Sequence, residues 1–281
     1  MSALALGLIA AFAWGFHDIC VRFLSQKVPL MACLLTVLCT GLLFHFAFMM
    51  ATDGFHTTPA KAFTPAILAG VFFLIASLGL YGAFQRGPVR LVAPIIASFP
   101  ILSVLWAAFT GTHITLVEWI TVFVILSGVS IVAFLSDQSE KDTMPKGVTI
   151  FLATIASFGY AGTFAFGQMA AEMSHPLPAA LITRSTAIVL LIGGMLACRL
   201  PFWPGRTSLG LLTLMGLADA IAVLCMVSAG GLANAQYASV AASVFGLITI
   251  VLAWGFLKEQ MTFQQWVGCV IVFVGIGHLA L

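Results

Sequence analysis

Ten apolar runs follow one another along this chain with little between them, each long enough for a helix to cross a bilayer. They fall at 3–24, 30–51, 65–86, 89–110, 117–136, 147–170, 177–199, 208–231, 237–256 and 263–281. Charged residues make up only 7% of the sequence, whereas a soluble domain carries roughly 25%. So few charges cannot cover a surface facing water, so lipid is the solvent. The fold expected is an all-α integral membrane bundle of ten transmembrane helices. No loop between the runs is long enough to hold a soluble domain, so any activity lies within or across the membrane.

The first run carries Ala11-Phe12-Ala13, which resembles a signal-peptide cleavage site. No Lys or Arg precedes it and the run continues past Trp14 to Val21, so it is expected to stay as the first helix. Loops after the odd-numbered runs hold Arg22, Lys27, Arg86, Arg90, Lys141, Lys146, Arg199, Arg206 and Lys258, while those after the even-numbered runs hold only Lys61. Positive charge favours the cytoplasmic side, which places both termini outside an inner (plasma) membrane. Arg22 and Arg86 stand at helix ends, where they could belong to a cavity instead; the bias survives without them.

A net charge of +2 gives no basic field for nucleic acid. The six cysteines lie in apolar stretches without CxxC spacing, so they are expected to be buried thiols rather than disulfides or zinc ligands. No cofactor or metal motif occurs, and no GxxxxGK[ST] for ATP.

Shifting the chain by 147 residues lays its second half on its first. Pro29, Leu30 and Ala32 then match Pro176, Leu177 and Ala179, and Phe109, Thr115, Trp119 and Gly128 match Phe256, Thr262, Trp266 and Gly275. The repeats are expected at 1–136 and 147–281, joined by the polar linker 137–146. Five helices per unit is an odd number, so the two copies must cross the membrane in opposite senses. Inverted repeats of this kind belong to secondary transporters, whose substrate site lies near the midplane between the halves.

Leu6 to Gly15, the stretch from Trp254 to Gly268 with Lys258-Glu259 at a helix end, and Ala179 to Arg184 resemble the drug/metabolite transporter superfamily, in particular its ten-helix EamA-type permeases. The first half departs from that pattern, with Thr112-His113 in place of Lys-Glu and Val37 opposite Arg184. The resemblance implies alternating access by rocking of two halves, driven by an ion gradient or by exchange. The substrates it implies range over amino acids, nucleobases, quaternary amines, sugars and drugs.

Ionisable groups deep in a span are costly, by about 2.5–3.5 kcal/mol on insertion scales, and so mark sites. Asp18, Arg184 and Asp219 are three such groups. Asp18 shares a helix face with Trp14 and adjoins His17; either His17 or Asp18 could take a coupling proton or a cation, or Asp18 could be a polar contact between helices. Arg184 could hold a substrate carboxylate or phosphate, or neutralise Asp219 or Asp18. Asp219 is a ligand site or a helix–helix contact. Tyr81 and Gln85 share one helical stripe, and Tyr160, Phe164 and Gln168 another, as the walls of a cavity for an organic solute would. His45, among phenylalanines, reads as structural, and His56, His113 and His175 as solvated loop residues. Pro94 and Pro100 should kink the fourth run. Gly128, Gly268, Gly275 and Gly277, with Ser127 and Ser130, should let the fifth and tenth runs pack closely, away from the substrate path.

These features point to a secondary transporter or exchanger of a small polar metabolite, with Arg184 and Asp18 together favouring a zwitterion such as an amino acid. An integral-membrane enzyme is the competing class, although neither HExxH nor GxSxG occurs. Cysteines introduced at Lys27 and at Lys61 test the orientation. In intact cells, an impermeant maleimide is expected to label the second and not the first.

Overall fold

The computed structural model describes residues 2–52, 56–102, 105, 115–135, 145–229, 232 and 236–278. Helix is the only regular structure among them. In chain order the helices are α1 (Ala3–Leu24), α2 (Leu30–Ala51), α3 (Ala60–Arg86), α4 (Val89–Ala97), α5 (Leu116–Leu135), α6 (Lys146–Met173), α7 (Pro176–Ala197), α8 (Leu209–Ala229), α9 (Gln236–Ser243), α10 (Phe245–Leu252) and α11 (Phe263–His278). A π-helical turn, Ala253–Leu257, continues α10 and ends at Lys258, whose φ of 56° closes it in the left-handed region.

Among the described residues, six helices are long and apolar enough to cross a membrane: α1, α2, α3, α6, α7 and α8 with its preceding turn. Four shorter apolar helical stretches, Val89–Leu102, Trp119–Gly128, Ala241–Leu257 and Phe263–Gly275, fall in the remaining runs. Thr112-His113 and most of the 137–146 linker lie outside the described residues.

Proline sets many of the helix starts. Pro29, Pro59, Pro88 and Pro145 immediately precede α2, α3, α4 and α6, and Pro176 opens α7. At these places the missing N–H would have had no partner within the helix. Pro94 is accommodated inside α4, which stops at Ser98 before a last turn resumes at Phe99. Pro100 supplies the reason, because it cannot donate to Ile96.

The outside of the bundle is apolar. Phe256 is 79% and Phe263 81% exposed, and Phe12, Leu43, Phe123, Phe151 and Val189 are exposed as well. A surface of this kind belongs against lipid tails.

Packing runs mainly between the two halves of the chain. Helix α3 lies on α6 and α7, while α8 lies on α1 and α2. Helix α4 meets α6, just as α9 and α10 meet α1, and α5 pairs with α11. Exchanging the halves maps each of these pairs onto another, and α5–α11 onto itself. Two pairs of helix starts keep the 147-residue register, Val89 with Gln236 and Leu116 with Phe263. Even single contacts repeat, with Gly70 set against the Thr183 carbonyl and Gly216 against that of Val37.

Glycine permits the closest approaches. A Cβ on Gly159 of α6 would stand 2.5 Å from the Ala76 backbone nitrogen of α3, and one on Gly79 would stand 2.7 Å from the Leu152 carbonyl. The two helices meet backbone to backbone through Ala76, Gly79, Ala156 and Gly159, as small residues allow in membranes. In α5 and α11, a Cβ on Gly128 would lie 2.8 Å from the Gly268 carbonyl, so the expected pairing of these helices is present. Gly159→Val should destabilise the purified protein by about 1–3 kcal/mol, because a rigid backbone has to move. Gly193→Ala, with nothing within 4 Å of its new Cβ, should leave the melting temperature unchanged or raise it slightly.

Candidate functional site

Two buried polar clusters sit side by side in the middle of the bundle. In the first, α1 places His17 and Asp18 on the same turn, 3% and 1% exposed. His17 Nδ1 is 2.9 Å from Asp18 Oδ1 and its Nε2 is 3.1 Å from the Tyr81 hydroxyl of α3. With a neutral imidazole the chemistry orders the protons: Nδ1–H donates to the carboxylate and the tyrosine O–H donates to Nε2. Asp18 Oδ2 is buried and has no hydrogen-bond partner.

The second cluster joins α1, α7 and α8. Trp14 Nε1–H donates to Asp219 Oδ1 at 3.1 Å, and Arg184 Nη2 lies 2.8 Å from Asp219 Oδ2. The latter is an ion pair by distance, but the N–H directions miss hydrogen-bond geometry, leaving the contact electrostatic. The guanidinium is fully buried. Gly41 of α2 makes room for it, because a Cβ there would stand 2.4 Å from Nη1. The Phe73 ring faces it at 5.3 Å. Arg184 is therefore packed into a slot, so the alternative of neutralising Asp219 describes its place.

Between the clusters lies a cavity of about 10 Å³ lined by Trp14, Asp18, Leu80, Phe99, Tyr160, Phe164 and Phe245. That is about the room one water-sized group needs. Its walls come from α1, α3 and the turn after α4 on one side, and from α6 and α10 on the other. The rings touch one another: Trp14 and Phe164 centroids are 5.5 Å apart, Phe99 and Phe164 5.2 Å, and Trp14 and Phe245 6.1 Å.

Several residues expected at this site are elsewhere or otherwise engaged. Gln85 Nε2 donates to the Ser25 carbonyl at 3.0 Å, and Gln168 Nε2 to that of Met226 at 3.2 Å. Their amides tie neighbouring backbones, and neither residue is in the cavity lining. His45 is structural, its Nε2–H donating to Ala220 O at 2.8 Å. His175 is not a freely solvated loop residue. Its ring lies 4.1 Å from that of His56, tilted by 31°, and burial, then the neighbouring His56, hold its pKa below the usual imidazole range. Cys198 is exposed at the end of α7, unlike the buried thiol expected.

A third group was not expected at all. Glu259 accepts from the backbone N–H of Val89 and Arg90, capping the start of α4, and its Oε1 lies 3.6 Å from Arg22 Nε. Arg22 also donates to the Phe84 carbonyl at 2.8 Å, and Arg90 to that of Gln260. A carboxylate at a helix N-terminus is favoured by the exposed N–H groups and the dipole. The sequence signal was present in Pro88-Val89, an uncapped helix start, but its acid lies 170 residues away.

The ion pair can be tested directly. Arg184→Gln and Asp219→Asn should each cost about 3–5 kcal/mol, because each leaves a buried charge alone. The double variant should be more stable than either single one, as read by thermal unfolding in detergent.

The EamA-like transporter family matches this chain twice, over residues 1–134 and 147–280. A protein of Escherichia coli K12 named "Uncharacterized inner membrane transporter YedA" is 23% identical over 268 residues, covering 92% of this chain and 85% of its own. The protein MJ1333.1 of Methanocaldococcus jannaschii is 28% identical over 134 residues, which is 46% of this chain but 93% of that one. A solved crystal structure shares the fold with a TM-score of 0.72 at 14% identity, covering 99% of this chain and 98% of that one. Matched in both halves, this multi-pass membrane protein belongs to the EamA-like transporter family.

Proposed function

We propose that this protein is a secondary active transporter or exchanger of a small polar metabolite, working by alternating access around the central cavity. The observation that carries this reading is a cavity walled by both halves of the chain, with Asp18, one of whose oxygens is unpartnered, among its lining residues. The architecture proposed is ten crossing helices in two inverted units, 1–136 and 147–281, with 137–146 as the linker. The exchange symmetry of the packing supports it, as does a relative whose whole length is about one unit. An inner-membrane location, with both termini outside, is proposed from the charge bias and the printed name of the Escherichia coli relative.

In this reading Trp14, Asp18, Tyr81, Tyr160, Arg184 and Asp219 form or support the substrate site. Asp18 and His17 hold the coupling proton, with Tyr81 fixing the imidazole. A buried carboxylate without a counter-charge requires a proton or a cation. Exchange of one for the other is a physical basis for coupling. The zwitterion expectation relied on Arg184 reaching a substrate carboxylate; with the guanidinium held by Asp219, Asp18 is the acid that faces the cavity. The Glu259 contacts span both halves and would have to break for that face to open.

The test is solute counterflow in proteoliposomes loaded with a metabolite mixture. Protein-dependent, chemically unchanged efflux is expected, and Asp18→Asn should slow its proton-driven component about tenfold or more. Release of an altered product would favour a membrane enzyme instead.

A further inference from the structure

We infer that the cavity reads a positively charged nitrogen: the solute presents an organic ammonium group to Asp18 Oδ2 inside the ring of Trp14, Phe99, Tyr160, Phe164 and Phe245. This rests on the transporter reading above and names the chemical class of its substrate.

The two acids of the core are in different states of use. Asp219 accepts from the Trp14 indole through Oδ1 and meets the Arg184 guanidinium through Oδ2 as an ion pair without a hydrogen bond. That pair is balanced in charge, and neither of its residues lines the cavity. Asp18 has only one oxygen engaged, by His17, and the other faces no donor although the residue is 1% exposed. A buried carboxylate oxygen without a donor is rare enough in proteins to indicate a missing partner. The partner has to bring a hydrogen-bond donor, O–H or N–H, or a positive charge.

The rest of the lining selects between those. Apart from Asp18 it consists of Leu80 and five aromatic side chains, with no Lys, Arg or amide among the lining residues. Nothing there would hold a carboxylate or a phosphate. Aromatic faces carry negative potential and attract a desolvated cation. The rings are mutually inclined, Trp14 and Phe245 by 74° and Phe99 and Phe164 by 63°, so they present both faces and edges. At about 10 Å³, the cavity takes one ammonium-sized head, and the remainder of the solute requires the halves to part. The charged and titratable groups around Asp18 are His17 beside it, Tyr81 of α3, Tyr160 of α6, Asp219 of α8 with Arg184 of α7, and Cys20 on its own helix. Arg184 is the one fixed cation of this group, and it is paired with Asp219 and absent from the cavity lining.

Three probes of equal chain length separate the alternatives: n-butylammonium, n-butyrate and n-butanol, tested by thermal shift and equilibrium binding on the purified full chain. Butylammonium is expected to bind and raise the melting temperature, while butyrate and butanol are not. Asp18→Asn should weaken butylammonium about tenfold or more, and Phe245→Leu several-fold. A melting scan of each ligand-free variant shows whether it is folded. Butyrate binding in place of butylammonium, or a folded Asp18→Asn variant that binds butylammonium within about twofold of the parent, would overturn the assignment. If butylammonium fails to bind while loaded proteoliposomes still show protein-dependent efflux, the ammonium assignment falls and the transporter reading stands. If butylammonium binds through Asp18 and no solute moves, the transporter reading falls and the ammonium site stands.

Discussion

A charge buried in a membrane bundle must be answered by another, and the Arg184–Asp219 pair organises the core around that requirement. The guanidinium of α7 and the carboxylate of α8 meet at 2.8 Å, away from solvent. Desolvating both costs several kcal/mol, so the pair persists only because its surroundings hold it in place. Gly41 supplies space, Phe73 supplies a ring face, and the Trp14 indole supplies a hydrogen bond. Three helices of the first half, α1, α2 and α3, thus converge on two charges from the second.

That convergence also shapes the cavity. Trp14 is both the donor that fixes Asp219 and a wall of the cavity beside it. Asp18, one turn further along α1, lies on the same face with one oxygen unused. One helix thus links a charge-balanced, closed cluster to an open one. A movement of α1 relative to α8 would alter both at once, and the small-residue contacts between the halves define surfaces along which packed helices can shift.

Much of the fold was legible in the sequence, because lipid leaves the backbone few choices. Every backbone polar group within the bilayer must be paired internally, so apolar runs of about 20 residues become helices and prolines mark their starts. The 147-residue shift was visible in a handful of matches such as Trp119 and Trp266, and helix starts at Leu116 and Phe263 keep it. The site was legible in part. Asp18, Arg184 and Asp219 stood out because ionisable groups in a span are rare. Gln85 and Gln168 were misplaced, because a helical stripe specifies a direction and not a depth.

What the sequence determined by itself was the solvent, the helices and the short list of costly charges, since each follows from transfer energies and local spacing. Tertiary structure decided which charges are paired. Nothing in the spacing of residues 184 and 219 says that Arg184 answers Asp219 rather than Asp18, or that Glu259 caps a helix beginning at Val89. Those contacts join residues brought together only by packing, and Coulomb attraction in a low dielectric depends on the final distance.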